Sequence, residues 1–122
     1  MAEILVVDDM QDVRDGIVAV LRAAGHSVSE AKDGREAIAK LGQHKYALVV
    51  TDIMMPEQDG TEVIMYMEGQ SPRPLVLAIS GGAPNVPAYM ALHLARLKAD
   101  ATLMKPFRNE ELRSRVESLL KG

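Results

Sequence analysis

Ile4-Leu5-Val6-Val7-Asp8-Asp9 lies near the start of the chain. Ala47-Leu48-Val49-Val50-Thr51-Asp52 and Leu75-Val76-Leu77-Ala78-Ile79-Ser80 repeat its form. In each stretch an unbroken apolar run ends on a polar residue. A strand with one wet face alternates apolar and polar side chains; a strand covered on both faces does not. The three runs therefore read as buried strands of a parallel sheet with helices on both sides. Ser27-Val28-Ser29-Glu30-Ala31 is half polar and reads as an edge strand. Ala101-Thr102-Leu103-Met104 completes the set.

Helical spacing fills the gaps. Met10, Val13, Ile17, Val20, Leu21 and Ala24 recur every three or four residues, and Gly25 ends that stripe. Ala37, Ile38 and Leu41 mark a second helix, ending near Gly42. Val63, Ile64 and Met67 mark a third, between Gly60 and Gly69. Val86, Met90, Leu94 and Leu97 mark a fourth. Leu112, Val116, Leu119 and Leu120 mark a fifth, with Asn109 as its expected N-cap. Alternating strands and helices imply right-handed crossovers and a parallel sheet. The expected class is α/β, as a single domain over 1–122 that leaves no output module.

Composition narrows the function. A length of 122 residues suits one domain. Hydrophobic residues at 48% supply a core, which argues against disorder. With no cysteine, disulfides, thiolate metal sites and cysteine nucleophiles are excluded. Fourteen basic against seventeen acidic residues, net charge -3, disfavour nucleic acid or an anionic membrane as partner. Aromatics at 3% leave no base-stacking platform. The start, Met1-Ala2-Glu3, lacks the pattern of a signal peptide. The longest apolar runs are far short of the ~20 residues of a membrane span. The expected location is cytoplasmic.

In an open parallel α/β sheet, ligands sit beyond the carboxyl ends of the strands. The first strand delivers Asp8 and Asp9 there, the third Asp52, the fourth Ser80, and the fifth Lys105 followed by Pro106. Clustered carboxylates need a cation or a proton. Oxygen ligands without His or Cys suit Mg²⁺ or another hard divalent ion. Lys105 offers a point charge for a phosphoryl oxygen, Ser80 a hydroxyl, and Gly81 and Gly82 accessible backbone N–H groups. Together these read as phosphoryl transfer to an aspartate. Asp52 stands alone at the end of the most central-looking strand, so it is the expected acceptor. His26, His44 and His93 lack ligand spacing and are expected at the surface. Met10, Met67, Met90 and Met104 are expected in the packing.

These residues resemble a known family. Val6-Val7-Asp8-Asp9, Thr51-Asp52-Ile53-Met54-Met55-Pro56 with Asp59-Gly60, Ala78-Ile79-Ser80, and Lys105-Pro106-Phe107 are similar to the receiver domain of two-component response regulators. The resemblance spans essentially the whole chain. It implies a doubly wound, flavodoxin-like five-stranded parallel sheet of order 2-1-3-4-5 with five flanking helices. It implies that Asp52 takes a phosphoryl group from a histidine kinase or a histidine phosphotransfer protein. Asp9, Asp52 and the backbone carbonyl of Met54 would hold Mg²⁺, with Asp8 acting through water. Ser80 and Lys105 would contact the phosphoryl group. The state would be read by a downstream protein at the face of the fourth helix, fifth strand and fifth helix, on a monomer or weak homodimer. The resemblance also implies a cis Lys105–Pro106 bond, although trans is the commoner state.

The sequence departs from the family at Thr102, where many receivers carry an aromatic switch residue. Gly82 and Met54 flank the expected path of attacking water, and neither side chain can orient it. A switch carried by Gly81, Gly82 and the loop to Pro87 is the expectation in place of an aromatic rotamer. Two other functions compete. A phosphorylation-independent pseudo-receiver could dispense with Asp52, Lys105 and the acidic pair, yet all are intact. A haloacid-dehalogenase-type aspartyl-phosphate hydrolase needs Asp-x-Asp after the first strand, and Asp8-Asp9-Met10 is not that pattern.

Overall fold

The apolar runs become adjacent strands. In this computed structural model residues 2–53, 60–80 and 99–121 are described, with the backbone alone at 60–62 and 80. The strands are β1 (Glu3–Val7), β2 (Ser27–Ala31), β3 (Leu48–Asp52), β4 (Leu75–Ser80) and β5 (Ala101–Met104). They form one sheet of order β2-β1-β3-β4-β5, every neighbouring pair parallel. β3 lies in the middle and β2 at an edge, as their composition predicts. The described helices are α1 (Gln11–Ala23), α2 (Gly34–Gln43), α3 (Gly60–Glu68) and a last helix (Asn109–Lys121). The helix expected around Val86, Met90, Leu94 and Leu97 lies outside the described residues.

The non-alternating runs are explained by two cores. Ile4, Val6, Leu48, Val50, Leu77 and Ile79 face one side, where Ile17, Val18 and Leu21 of α1 and Leu112 and Val116 of the last helix cover them. Leu5, Val7, Val49, Val76 and Ala78 face the other, beneath Ala37 and Leu41 of α2 and Val63, Ile64 and Met67 of α3. Period-two alternation thus divides each run between two apolar layers. Each fully buried leucine or isoleucine contributes roughly 1.5–3 kcal/mol. That burial holds the sheet rigid beneath its carboxyl edge.

Helix ends follow local chemistry. Gly25 has φ +94°. His26 N–H donates to the Leu21 carbonyl (3.2 Å) and Gly25 N–H to that of Arg22 (3.0 Å), a Schellman closure of α1. Asp33 caps α2 by accepting from Glu36 N–H at 2.9 Å.

Three expectations are corrected. Asn109 is the first residue of the last helix rather than its cap; Arg108 precedes it, and Arg108 N–H donates to Glu111 Oε1 at 3.1 Å. Met10 is 56% exposed because it stands at the cap position of α1, outside its apolar stripe. Met104 is 46% exposed at the end of β5. Met67 is buried as expected, and Met90 lies outside the described residues. His44 is exposed; His26 is half-buried and accepts from Ala2 N–H at 3.1 Å. His93 lies outside the described residues. No helix among the described residues is long and apolar enough to cross a membrane.

Candidate functional site

The parallel register brings the strand ends to one edge. Val7 pairs with Thr51, Thr51 with Ala78, and Ser80 with Met104. Asp8 and Asp9 follow β1, Asp52 closes β3, Ser80 closes β4, and Lys105 follows β5. The backbone thus places all the expected residues of the described segments on one rim. The Ser80 side chain, Met54, Gly81 and Gly82 lie outside what is described. Thr102 is half-buried in β5, and its carbonyl accepts from Arg115 of the last helix.

Lys105 joins the acidic residues. Its Nζ donates to Asp52 Oδ2 at 2.9 Å and to Asp8 Oδ2 at 3.0 Å. Asp8 is 1% exposed and Asp52 6%. Burial pulls the Lys105 pKa down, but the hydrogen bonds and negative charges of Asp52 and Asp8 outweigh it and leave the pKa raised. Lys105 is therefore an ammonium at neutral pH. The Lys105–Pro106 bond is cis, as the resemblance implies.

Asp8 is held at every polar atom. Its N–H donates to the Ala31 carbonyl (3.1 Å), and its own carbonyl accepts from Arg14 Nη1 (2.7 Å). Asp8 Oδ1 accepts from Met10 N–H at 2.9 Å, while Oδ2 meets Lys105. The Thr51 hydroxyl, fully buried, donates to the Asp52 carbonyl at 2.9 Å. Among the described residues no buried side-chain nitrogen or oxygen lacks a partner.

Asp8, Asp9 and Asp52 each place a carboxylate oxygen within 4.8 Å of the others. Three carboxylates beside one ammonium leave negative charge in surplus when ionised. The donors are all hard oxygens and Asp9 is exposed. This set fits a hard divalent cation such as Mg²⁺.

Sequence reading missed Arg14 and Glu30. Arg14 Nε meets Glu30 Oε1 at 3.1 Å while its Nη1 holds Asp8. The available signal was an arginine one helical turn into α1, after the acidic pair. The β1–β2 register that opposes Val6 to Glu30 was not readable from one sequence.

The family model for the response regulator receiver domain matches residues 4–117. The chain belongs to this family. Response regulator MprA of Mycolicibacterium vanbaalenii is 36% identical to this receiver domain over 118 residues, which is 97% of this chain and 50% of that protein. The chain spans about half the length of the curated relatives it matches. Response regulator TrrA of Thermotoga maritima, solved in complex with Mg²⁺ and BeF, is similar in structure with a TM-score of 0.84 and 28% identity. That match covers 98% of this receiver domain and 99% of the TrrA chain. Chemotaxis response regulator CheY4 of Vibrio cholerae matches with a TM-score of 0.85 and 28% identity, covering 98% of each chain. The receiver domain thus has the fold that the resemblance implied.

Proposed function

We propose that this receiver domain, acting as one unit over residues 1–122, takes a phosphoryl group on Asp52 and changes a partner-binding surface in response. One observation carries the reading: Lys105 Nζ lies within hydrogen-bond distance of Asp52 and Asp8, beside the Asp9 carboxylate. An Asp52 carboxylate oxygen attacks the phosphorus of a phosphohistidine. The P–N bond breaks as the P–O bond forms, and the departing imidazole keeps the electron pair and takes a proton. Asp9 and Asp52, with the Met54 carbonyl, would hold Mg²⁺, and Asp8 would act through water. The ion would neutralise charge on the transferring phosphoryl oxygens. Lys105 exchanges its bond to Asp52 for one to a phosphoryl oxygen, and Ser80 supplies a hydroxyl. The protein changes only its own phosphorylation and is not an enzyme in the ordinary sense.

The donor proposed is a histidine kinase or histidine phosphotransfer protein. A groove between α1 and the last helix, lined by Val13, Ile17, Phe107 and Leu112, reaches Lys105 and supports docking of a donor helix there. Gly81, Gly82 and Thr102 are proposed to pass the change in Ser80 and Lys105 toward the fourth helix, β5 and last helix. Incubation with Mg²⁺ and acetyl phosphate, followed by intact mass measurement, tests the reading. One added phosphoryl group, absent in Asp52→Asn, is expected. Sustained turnover of unrelated phosphate esters, or no adduct even with a kinase, would contradict it.

A further inference from the structure

The clamp around Asp8 extends beyond the residues that the phosphoryl-transfer reading uses. Arg14 is 14% exposed, and its guanidinium divides between two partners. Nη1 donates to the Asp8 carbonyl at 2.7 Å, and Nε donates to Glu30 Oε1 at 3.1 Å. The Asp8 carbonyl belongs to the peptide plane that also carries the Asp9 N–H. A charged donor held at 2.7 Å on that plane fixes its rotation. The plane's rotation sets the direction in which the Asp9 side chain leaves the backbone. Glu30 sits on β2 opposite Val6, two residues before Asp8, and Lys40 of α2 donates to the Glu30 carbonyl. The chain of contacts therefore runs from α2 through β2 and α1 to the acidic turn.

Charge explains why the arginine is paired. A lone guanidinium against the acidic turn would oppose a divalent cation. Glu30 cancels that charge while leaving the hydrogen bond to Asp8 in place. We infer that Arg14 and Glu30 form a charge-neutral clamp whose role is to position the Asp8–Asp9 turn for binding a divalent cation. They are positioning residues, and the inference rests on the reading that Asp9 and Asp52 bind Mg²⁺.

The test is Mg²⁺ titration of the full chain by calorimetry, with the melting temperature measured separately in chelator. Replacing both residues, Arg14→Met with Glu30→Gln, removes the clamp without changing net charge. The expected result is a rise of about tenfold in the Mg²⁺ dissociation constant, the size usual when a group orienting a metal ligand is lost. Arg14→Lys, which keeps charge and one donor, is expected to recover part of the affinity. An unchanged dissociation constant beside a lowered melting temperature would make the pair merely structural and overturn the inference. Should the double variant not fold, Glu30→Gln alone decides the matter. It leaves the Arg14 charge unbalanced, so affinity is expected to fall at low ionic strength and recover as salt screens the charge. No loss, or a loss indifferent to salt, overturns the inference. Failure of the wild-type chain to bind Mg²⁺ at all overturns the metal-binding reading first, and the clamp with it. The two failures are thereby distinct.

Discussion

At the scale of single residues, the site is a balance of charge. Asp8 and Asp52 are buried against Lys105, and all three depend on one another. Lys105→Met leaves two buried carboxylates facing each other. Removing one partner of a buried pair is expected to lower stability by about 3 kcal/mol. Urea unfolding in chelator checks this, and added Mg²⁺ is expected to restore part of the loss. The pH dependence has a definite sign. Because the folded Lys105 pKa is raised, its stabilisation is fully present below the unfolded lysine value of about 10.4 and is lost as pH climbs through the folded value. Adduct formation is therefore expected to show no fall due to lysine titration between about pH 6 and 9. A pH profile of acetyl phosphate labelling measures it.

Elements set those residues in place, and here the sequence was most readable. Unbroken runs such as Leu48-Val49-Val50 announced strands covered on both faces, and the two cores bear that out. The acidic pair, Asp52 and Lys105 were legible because each follows an apolar run directly. Met10 and Met104 were misread because apolar character alone does not reveal burial at the margin of an element: Met10 is the residue before α1, and Met104 is the exposed last residue of β5. Arg14 and Glu30 were invisible because their meeting depends on strand register, which one sequence does not contain. Gly25 was read correctly from its place after an apolar stripe. A Cβ there would meet nothing within 4 Å, so the penalty of replacement lies in the backbone alone. Gly25→Ala is expected to cost about 1–2 kcal/mol through its positive φ, with no change in adduct formation. Thermal unfolding compared with labelling extent tests both parts.

Across the whole molecule, one sheet with a core on each face supports a polar rim at its carboxyl edge. The net charge of -3 is partly gathered there, in Asp8, Asp9 and Asp52. A cation that binds only the folded state raises stability by mass action, by about 2.7 kcal/mol at a hundredfold excess over its dissociation constant. The melting temperature is expected to climb with Mg²⁺ concentration, and in Asp9→Asn to stay flat. Scanning calorimetry across a Mg²⁺ series measures the difference. The central claim, however, concerns one oxygen on one residue. Peptide mapping of the chain after labelling by a phosphorylated histidine phosphotransfer protein tests it most directly. The account predicts a single phosphoryl group on the peptide containing Asp52; a group on Asp8 or Asp9, or none, would contradict it.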